Sequence, residues 1–278
     1  MTAQLAPASP ARPIPILVKT WSSRASHRFR YIRRSLPDLL ASDLPDTAHV
    51  IIVDDVSDDP RLLALLERLA AVDRRVEVWR NPRRLGPNGG QEYNVPRLLE
   101  RHPDAEFLVF CDDDVVYHRG WLQRTVQVAH EARAAGLRGV FTALNVPYRQ
   151  AYDSRRLPTS EVLLKERQAA LNWVVPREIY DEVGPFKDAG IAYDTEYCDR
   201  MAALKLPVIC LKPSWVQNIG YFGAYQSGTT YTAPDYVGRI GVRLAAEFML
   251  HTTAARLREW GSTATQPVRR LFRSGSRS

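Results

Sequence analysis

Cysteine is scarce in this chain. Cys111, Cys198 and Cys210 are the only three among 278 residues, and no two of them form a CxxC pair. This excludes a disulfide framework and a thiolate zinc site, and leaves small buried hydrophobes as their expected role. Long apolar runs are also missing. None approaches the ~20 residues needed to cross a bilayer, and residues 1–13 are rich in alanine and proline without the apolar core of a signal peptide. A cytoplasmic protein is therefore expected. Acidic residues are outnumbered, 31 against 38 basic, for a formal net charge of +7. Much of that excess lies in Arg269, Arg270, Arg273 and Arg277. Such a tail is expected to be flexible, with peripheral contact to the inner, anionic face of a membrane as one use for it. Nucleic acid is not an expected partner, because zinc-finger spacing and aromatics interleaved with the basic residues are both absent.

With 45% hydrophobic residues the chain has enough apolar material for a substantial core. Its pattern is that of βα units. Ile14 to Val18 reads as a first strand that stops at the polar loop Lys19-Thr-Trp-Ser-Ser23. Phe29, Ile32, Leu36 and Leu39 recur at helical spacing. Val50 to Val53 is wholly apolar, as in a parallel strand buried on both faces, and runs into Asp54 and Asp55. Pro60 opens a second helix, Val76 to Trp79 alternates like a third strand, and a helix bearing Tyr93, Leu98 and Leu99 precedes a fourth strand from Phe107 to Cys111. The spacing predicts an α/β fold with a mostly parallel sheet. Further along, a helix is expected near Trp121 to Ala135, strands at Gly139 to Leu144, Leu171 to Val175 and Pro207 to Leu211, and helices at Arg177 to Val183 and Asp194 to Leu204. Residues 147–160, with Tyr148, Tyr152, Arg155 and Arg156, read as a long loop.

The fourth strand delivers three adjacent carboxylates, Asp112, Asp113 and Asp114. Side chains so close repel one another, so they must be protonated, paired with basic groups or bound to a hard cation. Ligands of open α/β sheets gather outside the carboxyl ends of the strands, which is where the first, second and fourth strands put their polar loops.

In this order the features resemble the inverting family-2 glycosyltransferases, nucleotide-sugar enzymes with the GT-A fold, from about Ile14 to Gly220. The strand running into Lys-Thr-Trp-Ser is similar to the family's Pro-Thr-Tyr-Asn, and Ile51-Ile-Val-Asp-Asp-Val-Ser-Asp58 to its Val-Asp-Asp-Gly-Ser. The Asp112-Asp113-Asp114 triplet resembles its DxD motif. Gly184-Pro-Phe186, followed by Tyr193-Asp194-Thr-Glu-Tyr-Cys-Asp-Arg200, resembles Gly-Gly-Phe followed by Glu-Asp and an arginine.

The resemblance implies a GT-A-type Rossmann-like three-layer sandwich and transfer of a sugar, with inversion, from a nucleoside-diphosphate donor, UDP-linked above all, to an acceptor hydroxyl or amine. It implies Mn²⁺ or Mg²⁺ on the donor phosphates, because such ions take oxygen ligands and stabilise the charge on the leaving group. Asp114, supported by Asp112, is implied as metal ligand, Asp113 as partner of the donor ribose and Asp55 as acceptor from the base N–H; Asp54 holds its turn or meets the nucleotide. Thr20 would donate to base or ribose, and Lys19 would meet a phosphate or pair with Asp54 or Asp55. Glu92-Tyr93-Asn94 stands where the family shows Ala-Arg-Asn, which leaves Arg83 or Arg84 to supply the missing cation. Asp194 is the implied base, with Glu196 a second carboxylate nearby, while Asp199 pairs with Arg200 or faces solvent. Asn218 stands where some relatives place a metal-binding histidine. Trp173 offers a ring face to a sugar or else packs in the core, and Tyr221, Phe222 and Tyr225 form an aromatic cluster suited to a lid.

The chain is thus expected to divide into a flexible 1–13, a donor-binding half 14–118, an acceptor-binding and catalytic half 119–235 of the same domain, a helix 236–262 and a basic flexible tail 263–278. The acceptor stays open among glycans, lipid-linked molecules, natural products and proteins. Two rivals are kept. A nucleotidyltransferase would carry a Gly-rich basic loop after the first strand, which Lys19-Thr-Trp-Ser-Ser23 is not. A catalytically silent nucleotide-sugar binding protein would fit the missing arginine and Tyr193 in place of glutamate.

Overall fold

A computed structural model of the chain describes residues 12–147, 149–220 and 232–238, together with 246 and 250. The expected roles of Tyr148, of the cluster Tyr221, Phe222 and Tyr225, of the basic tail and of nearly all of the 236–262 helix lie outside the described residues.

Four parallel strands, β1 (Ile14–Thr20), β2 (Ala48–Asp54), β3 (Val76–Arg80) and β4 (Phe107–Asp112), alternate with α1 (Phe29–Leu40), α2 (Pro60–Val72) and α3 (Gly86–Arg101). After β5 (Val115–Tyr117) and α4 (Trp121–Ala134) come β6 (Val140–Thr142), β7 (Asp153–Arg156), β8 (Glu161–Lys165), β9 (Asn172–Pro176), α5 (Arg177–Val183), α6 (Tyr193–Ala203), β10 (Val208–Lys212) and β11 (Val216–Asn218). Strands from both parts of the chain form one sheet in the order β3-β2-β1-β4-β9-β6-β10-β8-β7, while β5 and β11 pair separately. β9 runs antiparallel to both β4 and β6, so the parallel sheet reverses direction beside the Asp triplet.

Two-residue alternation splits each inner strand between two cores. Ile16, Val18, Val50, Ile52, Val109 and Ile209 pack with α1, α2 and α4; Leu17, Ile51, Val53, Leu108, Phe110 and Val208 pack with α3, α5 and α6. The result is an α/β sandwich of three layers. Among the described residues no helix is long and apolar enough to cross a membrane. Cys111, Cys198 and Cys210 are free and buried, and burial pushes each thiol up to about 12.

The expected long loop at 147–160 differs from the structure. Asp153–Arg156 pairs with Glu161–Lys165 as a hairpin on the edge of the sheet. Its outer strand is polar and mostly exposed, so it carries none of the apolar alternation by which a strand is read. The glycine-bearing segment before Glu92 likewise folds into α3 from Gly86 onward.

Candidate active site

The strand register gathers the site. Lys19 of β1 lies opposite Asp112 of β4, and Thr20 opposite Asp54 of β2, so three carboxyl ends present their polar residues together. Thr20 Oγ1 donates to Asp113 Oδ2 at 2.7 Å, a buried bond between residues 93 positions apart. Asp113 Oδ1 is held by Arg28 Nη2, and Arg28 Nη1 reaches Asp114 Oδ2 at 3.4 Å. Asp113, expected to meet the donor ribose, is 1% exposed and both of its oxygens accept from protein groups. It braces Thr20 and Arg28 instead. Thr20 is itself 2% exposed, with its hydroxyl spent on Asp113.

Arg28 was not legible as a site residue. It stands at the N-terminal end of α1, far from the triplet in sequence, and only the surplus of negative charge at Asp112 to Asp114 hinted that a basic side chain would be needed.

The other two carboxylates are less satisfied. Asp114 is 8% exposed, and its Oδ1 is buried without a hydrogen-bond partner. Burial raises its pKa, opposed by Arg28. Asp112 is half-buried and receives no hydrogen bond from any described residue; burial, with the charge of Asp114 adding and Lys19 opposing, pushes it up to about 7. The chain returns against this cluster at Gly220, where a Cβ would overlap the Asp114 carboxylate. Asn218, the candidate ligand in the histidine position, spends its Oδ1 on the Gly220 N–H at 3.0 Å.

Lys19 crosses the middle of the site. Its ammonium donates to the Pro87 carbonyl at 3.0 Å and lies 4.2 Å from the centre of the Tyr193 ring. Burial lowers its pKa to about 8 against the pull of Asp112, Asp194, Asp113 and Asp55. It forms no direct pair with Asp54 or Asp55, contrary to expectation. Asp54 Oδ1 accepts from Ser57 N at 3.0 Å and closes its own turn, and its Oδ2 lies 3.5 Å from Arg80.

Asp55 anchors the neighbouring loop. Its Oδ1 accepts from Asn81 Nδ2 at 2.7 Å and Leu85 N at 2.8 Å, and its Oδ2 from Gly86 N at 2.8 Å, where α3 begins. A carboxylate at a helix N-terminus satisfies N–H groups that the helix leaves open. Arg84 is exposed and its guanidinium carbon lies over Trp21, 3.7 Å from the ring centre.

Asn88 ties this loop to the start of α6. Its Oδ1 accepts from Tyr193 N at 3.0 Å and its Nδ2 donates to the Ile191 carbonyl at 2.7 Å, so it caps α6 from a distance. Among the described residues, Asp194 in the first turn of α6 accepts only from backbone N–H groups and its neighbour's hydroxyl: Thr195 N at 2.8 Å, Ala170 N at 3.3 Å and Thr195 Oγ1 at 3.5 Å. Asp199 pairs with Arg167 rather than Arg200.

Trp173 is the clearest correction. It is fully buried in β9, packed on Tyr197 with ring centres 6.0 Å apart, so it is a core residue and offers no face to a sugar. Period two explains this, because its neighbours Asn172 and Val174 lie on the other side of a strand buried on both faces.

A family model described as Glycosyl transferase family 2 matches residues 25–184, more than half of the chain. The chain belongs to this family. Its solved neighbours share the GT-A fold. GalNAc-T7 with UDP, GalNAc and Mn²⁺ is similar at a TM-score of 0.56 and 14% identity, over 88% of this chain and 50% of that one. A mannosyltransferase from Pyrobaculum calidifontis, in complex with GDP-Man and Mn²⁺, gives 0.52 and 16%, over 94% and 84%. TarS of S. aureus gives 0.53 and 17%, over 73% of this chain and 36% of that chain, so the chain spans about a third of the TarS length. At such identities the likeness is one of fold. No curated protein matches the sequence.

Proposed function

We propose that this family-2 glycosyltransferase moves a sugar, with inversion, from a nucleoside-diphosphate donor, UDP-linked in the first instance, to an acceptor hydroxyl or amine in a reaction that needs Mn²⁺ or Mg²⁺. The observation that carries the proposal is the buried Asp114 Oδ1, which has no hydrogen-bond partner, beside the half-buried Asp112 carboxylate, to which no described residue donates. Buried carboxylates without partners are costly and call for a cation, and an all-oxygen set of this kind suits a hard divalent ion whose remaining ligands are phosphates and water. Asp112 and Asp114 would hold it. When bound, such an ion stabilises the negative charge on the departing nucleoside diphosphate. That GalNAc-T7 and the Pyrobaculum mannosyltransferase carry Mn²⁺ with UDP or GDP-Man on the same fold supports the choice of donor class.

The protein groups divide the remaining work. Asp55 Oδ2 has a single partner and retains a lone pair for the N–H of a uracil. Arg84 reaches over Trp21 at the exposed rim, a position suited to the diphosphate. Thr20 and Asp113 act behind them as a buried brace. Asp194 takes the proton of the acceptor hydroxyl as it attacks the anomeric carbon from the face opposite the leaving group.

The test is release of nucleoside diphosphate from a panel of UDP-, GDP- and dTDP-sugars with Mn²⁺, using glycan, lipid-linked, natural-product and protein acceptors. Turnover that disappears in Asp194→Asn supports the proposal. Metal-dependent nucleotide binding without turnover on any acceptor points to a silent binding protein, and release of pyrophosphate from a nucleoside triphosphate would overturn the transferase reading.

A further inference from the structure

We infer that Arg28 is the donor site's exchangeable counter-charge: it neutralises Asp114 while no divalent ion is present, gives up that carboxylate to the ion, and then turns its freed N–H groups to the donor diphosphate. The inference rests on the donor-site reading above and adds a residue and an order of binding to it.

The two contacts of Arg28 are unequal. Toward Asp113 the guanidinium makes a close charge-assisted bond to a side chain that is 1% exposed and pinned on its other oxygen by Thr20. Toward Asp114 the separation is 3.4 Å, near the outer limit of a hydrogen bond, to a side chain whose other oxygen has no partner at all. Release of Asp114 therefore sacrifices one long bond and leaves the anchor on Asp113 intact. Arg28 itself stands in right-handed helical geometry at the start of α1. The guanidinium has five N–H donors in a planar fork, which suits it to hold a carboxylate on one edge and phosphate oxygens on another. Its side chain keeps 23% of its surface exposed, so part of it is within reach of a ligand.

Electrostatics then couples metal and nucleotide. Arg28 and Lys19 already face the carboxylates of Asp112, Asp113 and Asp114. A divalent ion entering alone must break the Arg28–Asp114 contact and sit beside a guanidinium that cannot lose its proton. Entering together with a diphosphate, it brings the anion that the displaced N–H groups need. Each ligand thus improves the affinity for the other by the same factor, and Arg28 is the source of the coupling.

The experiment is a Mn²⁺ titration followed by electron paramagnetic resonance of the free ion, on wild type, Arg28→Gln and Arg28→Lys, with and without UDP, GDP or dTDP. Arg28→Gln is expected to bind Mn²⁺ alone about 10-fold more tightly than wild type, and to bind UDP at saturating Mn²⁺ about 10-fold more weakly, so that the coupling between the two largely disappears. Arg28→Lys keeps a charge on Asp113 but cannot bridge two carboxylates, and should fall between them; it also serves if Arg28→Gln does not fold. Unchanged or weaker Mn²⁺ binding in the variants, with UDP affinity preserved, would overturn the inference and leave the donor site standing. Absence of Mn²⁺ binding in wild type and variants alike, even with all three nucleotides, would bring down the donor-site reading and this inference together.

Discussion

Glu196 and Arg200 are locked to each other by two parallel bonds, Nε to Oε1 at 2.8 Å and Nη2 to Oε2 at 2.7 Å, one turn apart on α6. Arg200 also donates to the carbonyls of Val183 and Pro185, so the pair clamps the end of α5 to α6. Glu196 is therefore committed to structure, whereas Asp194 accepts no bond from a cation. Asp194→Asn is expected to lower kcat by about 10³-fold, within the range of a lost general base, with donor KM little changed. Glu196→Gln should keep most of its kcat and lose thermal stability instead. Steady-state kinetics and melting curves on both variants decide the matter; a larger loss of kcat in Glu196→Gln would transfer the base assignment.

Asp113 gives a second contrast, between a brace and its neighbours. Asp113→Ala leaves Thr20 without an acceptor and Arg28 without its anchor, and should cost about 3 kcal/mol, as for other buried pairs that lose one partner. Asp112→Asn removes a carboxylate whose charged form burial and Asp114 oppose, and should leave stability unchanged or higher in the absence of metal. Urea denaturation in a chelating buffer compares the two. Equal losses would show that the triplet is held as a unit.

The sheet was readable because the inner strands are apolar on both faces and end in polar loops, a pattern that survives without any knowledge of partners. What escaped was long-range or edge structure. The hairpin of β7 and β8 hides because Asp153 to Arg156 is an exposed edge. Arg28 hides because an arginine at the start of a helix carries no local mark of its contact with Asp113, 85 residues on. Trp173 misled for the opposite reason, since an indole near a base region looks the same in sequence whether it faces a cleft or a core. Asp55 was legible as a carboxylate at a strand end, but the three donors that hold it come from residues 81–86 and depend on where α3 starts.

A pH response is built into the far end of β2. His49 Nδ1 and His102 Nε2 are 2.7 Å apart and share one proton, with Glu77 on the other side of His49 at 3.3 Å. Burial lowers both imidazoles from 6.5; Arg101 adds to this for each, the charge of His49 adds for His102, and Glu77 opposes. Groups whose folded pKa is lowered bind protons less readily in the native state than in the unfolded chain. As pH falls through 6.5 the unfolded chain is protonated first, and stability is lost. The melting temperature of wild type should therefore drop more than that of His102→Gln between about pH 7.5 and about pH 5.5. Parallel curves for the two proteins would remove the pair as a source of the response.

Val56 occupies the place of the glycine in the Val-Asp-Asp-Gly-Ser element, and its backbone sits at φ 59. A β-branched residue in left-handed geometry is strained by about 1–2 kcal/mol. It persists because its neighbours are fixed on both sides: Asp55 N donates to the Thr20 carbonyl at 2.9 Å and Ser57 N to Asp54 Oδ1 at 3.0 Å. The side chain is 36% exposed, so its removal forfeits only part of the contact a buried valine would make. Val56→Gly relieves the strain and adds roughly 0.5–1 kcal/mol of chain entropy to the unfolded state. The balance favours the variant by up to about 1 kcal/mol, visible as a higher urea midpoint at constant slope. Val56→Ala keeps the Cβ in the left-handed region without the branch and should gain less. If Val56→Gly is the less stable protein, the turn is not strained; if it is more stable but binds UDP more weakly, the valine has been stiffening the turn that carries Asp55.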